Sequence, residues 1–222
     1  MKRIVLAWFV CVLAMAPAAV AVPETIALPK PRTDGGLSVE RALAQRRTVR
    51  DFRDAPLTLA QAAQLLWAAQ GITRDDGRRT APSAGARYPL CVYLVTGSVT
   101  GLAPGVYRYD PANHRLELVA AGDRRGRLAL AAHGQFWVGR APVVLAFSAI
   151  ESRTTRKYGA RGVRYVHMEA GHAAENVLLQ AEALGLGAGV VGAFHDDTVA
   201  SLLGLGPGEK PLYLLTVGGK RD

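Results

Sequence analysis

Cysteine is nearly absent from this chain of 222 residues, which contains only Cys11 and Cys91. Cys11 lies in an amino-terminal segment that we expect to be removed, so no disulfide could form within the remaining chain. A single thiolate also cannot complete a zinc site that needs several of them. Because Cys91 sits in the apolar run from Leu90 to Val95, we expect a buried and unreactive thiol.

Acidic residues are also scarce relative to basic ones, 18 against 27, which gives a net charge of +9. The excess favours anionic ligands, but the basic residues are spread along the chain and form no stripe of the kind that binds nucleic acid. The chain lacks internal repeats and low-complexity tracts. It also lacks the series of uniform strand–helix–strand units that a doubly wound sheet requires.

Three catalytic or binding motifs are present only as incomplete matches. Gly187–Gly192 fits the spacing of a dinucleotide-binding loop, but it follows a predicted helix and enters a strand, the reverse of the required order. His167 and Glu169 match half of a zinc-deaminase signature, and the cysteine half is missing. Ser83 lacks the first glycine of a hydrolase elbow. We therefore predict neither a Rossmann site nor a metal site.

The first 21 residues have the pattern of a secretory signal peptide. Lys2 and Arg3 precede an apolar run from Ile4 to Met15, and a small-residue cleavage site ends at Ala21. Since the segment holds two basic and no acidic residues, its removal lowers the net charge from +9 to +7. We expect a periplasmic or secreted protein with no stable membrane insertion after cleavage.

The most informative stretch runs from Tyr165 to Phe194. Its first two thirds have the apolar spacing of a helix, interrupted by a polar stripe of Glu169, His172, Asn176 and Gln180. Gly185 and Gly187 would end this helix, and Val190–Phe194 reads as a short buried strand or extended loop. The bare backbone at Gly192 and Ala193 is suited to contact with a flat ligand.

The rest of the chain predicts one domain over residues 37–222, after a loose lead-in at residues 22–36. Helices and short strands alternate, which indicates an α+β protein. The predicted helices are 39–45, 59–70 behind the capping box Thr58–Gln61, one from Asp123 to Ala132, and one ending at Leu203. The predicted strands are 90–95, 143–147, 212–217 and a hairpin of 105–109 with 116–119.

Two basic segments stand out between these elements. In an extended chain Arg46, Thr48 and Arg50 would face one side, and two guanidinium groups flanking a hydroxyl suit a phosphate. The alternative interpretation of this first segment is a solvated basic loop that binds no ligand. The second segment, residues 156–165, has the composition of a surface loop.

Six motifs in this order resemble the nitroreductase-like flavoproteins, most closely their SagB/ThcOx-type dehydrogenase branch. They are Arg46–Arg50, Leu65–Gly71, Pro82–Pro89, the Lys157-Tyr-Gly triplet, Glu169–His172 and the stretch from Gly185 to Phe194. The resemblance implies a nitroreductase-like α+β fold with a mixed, mostly antiparallel sheet flanked by helices around a long central helix. It also implies a homodimer that binds FMN at the subunit interface.

The same resemblance assigns site residues. Its flavin-contacting residues would be Arg46, Arg47, Thr48, Arg50, Pro82, Ser83, Ala84, Ala86, Val191, Gly192, Ala193 and Lys220, with the 82–86 segment donated by the partner subunit. Ala86 replaces an asparagine common in ordinary nitroreductases, and Gly192 replaces a glutamate. Lys157 and Tyr158 match the pair that assists substrate dehydrogenation in azoline-oxidising members, where a base of tuned pKa is useful.

These observations predict an exported FMN-dependent oxidoreductase. It would transfer a hydride between a small organic or peptide substrate and flavin N5 by a ping-pong mechanism. The alternatives are an NAD(P)H-dependent nitroreductase and a non-catalytic binding or scaffold protein on the same dimeric fold.

Overall fold

The structure, a computed structural model, describes residues 24–221. The predicted signal peptide lies outside this range. No helix within it is both long enough and apolar enough to span a bilayer.

Seven helices surround the sheet in the described part of the chain. Their bounds are α1 Val39–Gln45, α2 Leu59–Gln70, α3 Arg125–Ala131, α4 Trp137–Arg140, α5 Ser152–Tyr158, α6 Gly162–Ala183 and α7 Asp196–Leu203. Short 3-10 turns occupy Ala84–Ala86 and Gly159–Arg161. The longest helix is α6, with 22 residues.

The strands form one large sheet and one small parallel pair. Their bounds are β1 Thr25–Ala27, β2 Leu57–Thr58, β3 Leu90–Thr96, β4 Val99–Thr100, β5 Gly105–Asp110, β6 Arg115–Ala121, β7 Val143–Ala149, β8 Leu186–Val191 and β9 Lys210–Gly219. The large sheet has the order β1-β6-β5-β3-β7-β9-β8, and each neighbouring pair is antiparallel. Strands β2 and β4 pair in parallel.

The large sheet is covered on both faces. Along β3 every residue is buried, and successive side chains enter opposite cores: Val92 and Leu94 pack with α2 and α6, whereas Tyr93 and Val95 pack with α3 and α7. This alternation follows from the two-residue side-chain period of a strand. The result is a sheet between two helical layers, with α6 in the core of one of them.

Most of the predicted elements are confirmed. The capping box of α2 is complete, since the Thr58 hydroxyl accepts the Gln61 N–H and the Gln61 side chain accepts the Thr58 N–H. The 105–121 hairpin is present, and Cys91 is buried, which raises the pKa of its thiol.

Other predictions differ from the structure. The basic segment 156–165 is not a loop: it runs from the end of α5 through the Gly159–Arg161 turn into α6. The lead-in contains β1, which pairs with β6. Gly187 does not end α6 but lies inside β8. Glu169, predicted in a polar stripe, is 2% exposed, whereas Met168, an apolar residue next to it in the same predicted helix, is 51% exposed. The helix period sets relative positions, but the neighbouring layers decide which side chains are covered.

Candidate functional site

The basic run after α1 lies along the edge strand β8. Thr48 forms a parallel bridge with Ala188, and the Val49 N–H donates to the Ala188 carbonyl at 2.8 Å. Further on, Phe52 bridges to Lys220 at the end of β9. The run is therefore extended, which is the condition under which Arg46, Thr48 and Arg50 would face one side, and its backbone is fixed by hydrogen bonds to the sheet.

Small residues in β8 allow this close approach. A β-carbon on Gly187 would lie 2.7 Å from the Val49 side chain, and one on Gly189 would lie 2.6 Å from the Val49 carbonyl oxygen. The same β-carbon on Gly189 would lie 2.8 Å from the Trp137 ring. Trp137 in turn lies 5.4 Å beneath the Arg50 guanidinium, in cation–π geometry.

The exposed backbone after β8 lies beside the same group of residues. Gly192 and Ala193 are exposed while Val191 is buried. A β-carbon on Gly192 would be 3.7 Å from the Tyr213 ring, and Arg46 Nε lies 3.9 Å from Glu175 Oε1. Burial, and then the charge of Glu175, raises the pKa of the Tyr213 hydroxyl. These residues and Thr48, Arg50 and Trp137 make up the strand-edge group.

Lys220 is engaged by an acid. Its Nζ lies 2.6 Å from Glu182 Oε1, and the Glu182 side chain is 8% exposed. Arg221 pairs with the exposed Asp51 at 3.3 Å. Among the predicted flavin-contacting arginines, Arg47 and Arg50 have no acidic partner within the described residues.

A second group surrounds the 3-10 turn before β3. A β-carbon on Gly85 would lie 2.6 Å from the Tyr158 hydroxyl and 2.9 Å from Lys157 Nζ, so both side chains reach over this glycine. Lys157 Nζ lies 5.3 Å from the Tyr158 ring centre, and Tyr158 packs edge-on against Tyr165. Lys157, Tyr158 and the Ser83–Tyr88 loop make up the loop group.

The Ser83–Tyr88 loop has an unusual backbone. Gly85, Ala86 and Tyr88 have φ values of 60°, 53° and 45°. Positive φ costs a non-glycine residue on the order of 1 kcal/mol and persists where surrounding contacts enforce it. Here the Ser83 hydroxyl accepts the Tyr88 N–H at 2.9 Å, and Arg153 donates to the Tyr88 carbonyl at 3.3 Å.

Glu169 lies beneath this loop. Its carboxyl is buried, and its Oε1 has no hydrogen-bond partner. Burial raises the pKa of Glu169 to about 7, while a hydrogen bond with Ser83 and the charge of Arg79 oppose the rise. Arg79 stacks over the Tyr88 ring at 4.5 Å and donates to Gln70 Oε1 at 2.9 Å. A carboxyl that titrates near neutral pH thus supports the predicted flavin-contacting segment from inside.

Helix α6 separates the two groups within one subunit. Glu169 supports the loop group and Glu175 belongs to the strand-edge group. Six helical residues place them about 9 Å apart along the axis and about 120° apart around it. Each predicted site residue therefore falls in, or beside, one of two groups that flank the same helix.

Sequence reasoning missed several of these residues. Tyr213, Trp137 and Glu175 lie against the predicted site residues Gly192, Arg50 and Arg46. Arg79 stacks on Tyr88 in the loop group. None of these four residues lies in a motif. Trp137 and Tyr213 are partly buried aromatic residues, a signal that also fits ordinary core packing. Only the folded chain brings them to the site.

Together, this architecture and its two basic groups define an α+β protein suited to a flat, phosphate-bearing ligand. The chain belongs to the Nitroreductase family, whose model matches residues 43–219. That family is a class of FMN-dependent oxidoreductases. This confirms the predicted family and fold.

Three relatives illustrate the similarity. A protein of Methanocaldococcus jannaschii named as a nitroreductase is 45% identical over 184 residues, 83% of this chain and 92% of that protein. A Ralstonia eutropha crystal structure titled as a nitroreductase is 35% identical with a TM-score of 0.78, covering 89% of this chain and 90% of that one. The microcin B17-processing protein McbC of Escherichia coli is 31% identical over 133 residues, 58% of this chain and 49% of McbC.

The residues of the strand-edge group fit FMN. Thr48 is exposed, and the Arg50 guanidinium two residues on has no acidic partner within the described residues, so the two offer charge and hydrogen-bond donors for a phosphate. The Arg47 Nη1 instead donates to the Ala44 and Arg46 carbonyls at 2.9 Å. The exposed Gly192 and Ala193 backbone, with the ring of Tyr213 beside it, leaves space for a flat ring. Lys220 would have to leave Glu182 to join them.

Proposed function

We propose that this protein is an exported FMN-dependent oxidoreductase of the SagB/ThcOx-type dehydrogenase branch, working by a ping-pong mechanism on a small organic or peptide substrate. The observation that carries the proposal is the convergence of Lys157 Nζ and the Tyr158 hydroxyl over Gly85, within the predicted flavin-contacting loop. The sequence match to McbC, a peptide-processing protein by name, favours the same branch.

FMN, when bound, would accept or donate a hydride at N5. Arg46, Arg47, Thr48 and Arg50 would hold its phosphate and polar edge by charge-assisted hydrogen bonds. Gly192 and Ala193 would offer backbone beside the ring. Lys157 or Tyr158 would take the proton that the substrate loses when its hydride leaves, since both end in polar atoms at the same point above Gly85.

A homodimer would complete the site. Glu169 beneath the loop group and Glu175 in the strand-edge group lie about 9 Å apart along α6 and about 120° apart around it, which favours a site whose two groups come from different subunits. If two copies of α6 cross in antiparallel fashion, the loop group of one subunit meets the strand-edge group of the other. Exposed apolar side chains favour such an interface: Val39 and Leu43 on α1 are 63% and 55% exposed, and Met168 on α6 is 51% exposed.

The first test is the cofactor. Protein prepared from the periplasm should be yellow and contain about one FMN per subunit, and Arg50→Ala should lower FMN affinity because it removes one unpaired guanidinium. Arg127→Ala, an exposed arginine on α3, is the matched control. Colourless protein that dimerises and ignores Arg50→Ala would support the scaffold alternative instead.

The second test concerns the proton acceptor. Tyr158→Phe and Lys157→Ala should retain FMN but slow reduction of the flavin by the substrate at least tenfold, because each removes a polar atom above Gly85. Rapid-mixing absorbance at the flavin band measures this step. Variants that reduce the flavin and turn over like the wild type would exclude the assigned role.

A nitroreductase driven by NAD(P)H remains the second candidate, favoured by the name of the 45% identical relative. Anaerobic mixing with NADH or NADPH decides between the two. Rapid bleaching of the flavin supports this candidate, and no bleaching supports substrate oxidation.

A further inference from the structure

The loop group borders a concave pocket of ≈ 530 Å³ that is lined by Ala86, Arg87, Arg153, Arg156 and Lys157. Four of its five lining residues are cationic, and Lys157 is also one of the two side chains above Gly85. The pocket therefore opens directly beside the proposed reacting position. We call it the arginine pocket.

The cations of this pocket have no acidic partner among the described residues of the same subunit. Within residues 24–221 none of its four cations takes part in an ion pair. The two chain segments that supply them, residues 77–109 and 152–168, contain no aspartate or glutamate. The nearest acid before α5, Glu151, pairs with Lys210 at 2.9 Å.

Such an arrangement is unfavourable for the protein alone. Like charges spaced three and four residues apart on a helix repel each other, as Arg153 does with Arg156 and Lys157. A helix selected for stability would place an acid among them. Guanidinium groups present paired donors that match the oxygens of a carboxylate, sulfonate or phosphate, so an anionic ligand would offset the repulsion.

The pocket is also held in place. Arg153 donates to the Tyr88 carbonyl at 3.3 Å, which ties α5 to the loop, and the Arg87 N–H donates to the Ala84 carbonyl at 3.3 Å. The positive-φ backbone at Ala86 and Tyr88 sets the direction of Arg87 between them. The cations are thus carried by a constrained turn and a helix rather than by a free loop.

We infer that the arginine pocket binds an anionic group of the substrate and so selects small organic anions, placing their reacting carbon at Lys157 and Tyr158. This inference rests on the proposed function, since it concerns the substrate of the same site. A pocket of this volume suits a carboxylate, sulfonate or phosphate on a small molecule.

Two naphthoquinones of similar size test this inference as binding probes. 1,4-Naphthoquinone-2-sulfonate carries an anion, and 2-methyl-1,4-naphthoquinone is uncharged. At 50 mM salt the FMN-free protein should bind the sulfonate at least tenfold more tightly, measured by calorimetry. At 0.5 M NaCl the advantage should shrink severalfold, because salt screens exposed charges.

Variants localise the effect. Arg87→Gln combined with Arg156→Gln should abolish the preference for the sulfonate and leave binding of the uncharged quinone unchanged, while Arg127→Gln on α3 should behave like the wild type. In the FMN-loaded protein the rates at which the two quinones reoxidise photoreduced flavin should follow the same order.

Three results would overturn the inference: equal affinity for the two probes, a preference that survives the double substitution, or displacement of the sulfonate when FMN is added. The last would assign the pocket to the flavin phosphate. Absence of FMN from the isolated protein would instead contradict the proposed function, and the binding comparison on the FMN-free chain would still decide the pocket.

Discussion

Glu169 is an acidic residue in a buried environment that disfavours its ionised form. It is a carboxyl with 2% exposure and no partner on Oε1, facing Arg79 and Ser83, under a loop that carries predicted flavin contacts. Burial disfavours its charged form more than Arg79 and Ser83 favour it, so its pKa rises to about 7. Its protonation is therefore linked to the stability of the folded chain.

The direction of this linkage can be predicted. Between the ordinary pKa of 4.5 and about 7 the folded state binds the extra proton, so the free energy of unfolding should fall as pH rises through this window. One pKa unit corresponds to about 1.4 kcal/mol, so the rise sets an upper bound of about 3.5 kcal/mol on the loss of stability. Glu169→Gln should match the wild type near pH 5 and be more stable at pH 8.

Urea unfolding of the FMN-free protein from pH 5 to 8 measures this difference. Glu175→Gln, an exposed position on the same helix, should give a curve parallel to that of the wild type. If the stability of Glu169→Gln also depends on pH in parallel with that of the wild type, the Glu169 carboxyl does not titrate as described.

At the scale of elements, the fit between β8 and the extended run of residues 46–52 decides whether the site exists. The Thr48–Ala188 bridge fixes the register, and Gly187 and Gly189 give the run room against the strand. A side chain at either glycine would push the run away from the sheet. The proposed phosphate-binding geometry thus depends on two glycines, Gly187 and Gly189, that would not themselves contact the cofactor.

Gly187→Ala should disrupt this fit. The new β-carbon would lie 2.7 Å from the β-carbon of Val49. Because a β-carbon cannot move away by side-chain rotation, the backbone of residues 46–52 must shift, which should lower the free energy of unfolding by about 1–3 kcal/mol. FMN affinity, measured by quenching of flavin fluorescence, should fall at least tenfold.

Gly126→Ala on α3 is the matched control, because its β-carbon meets nothing within 4 Å. It should stabilise the helix by about 0.5–1 kcal/mol and leave FMN binding unchanged. Unaltered FMN affinity in Gly187→Ala would show that the run does not need its contact with β8.

At the scale of the whole molecule, the proposed dimer determines whether the two groups meet. The apolar groove of ≈ 310 Å³ between α1, α2 and α6 has Val39 at its rim. Gly171 on α6 has open space around it, which permits close approach of another chain. Together these features favour a second copy packed along α6.

Val39→Glu should separate the subunits. Val39 is the first residue of α1, where an acid is compatible with the helix, so the helix should survive while the charge opposes burial. We expect a shift towards monomer in sedimentation and a matching loss of FMN. Leu130→Glu, 64% exposed on α3, should remain dimeric; a monomer of Val39→Glu that retains FMN would contradict a shared site.

The sequence alone determined the elements that depend on local interactions. The capping box Thr58–Gln61, the 105–121 hairpin and α6 follow from hydrogen bonds and periodicities within a few residues, and the ordered motifs were enough to identify the family. The tertiary structure alone decided burial and long-range contact. It buried Glu169, exposed Met168, made a helix of the Lys157–Tyr158 segment, and placed Tyr213 beside Gly192. Such outcomes depend on which layers cover a surface, a property of the whole packed chain that no local stretch encodes.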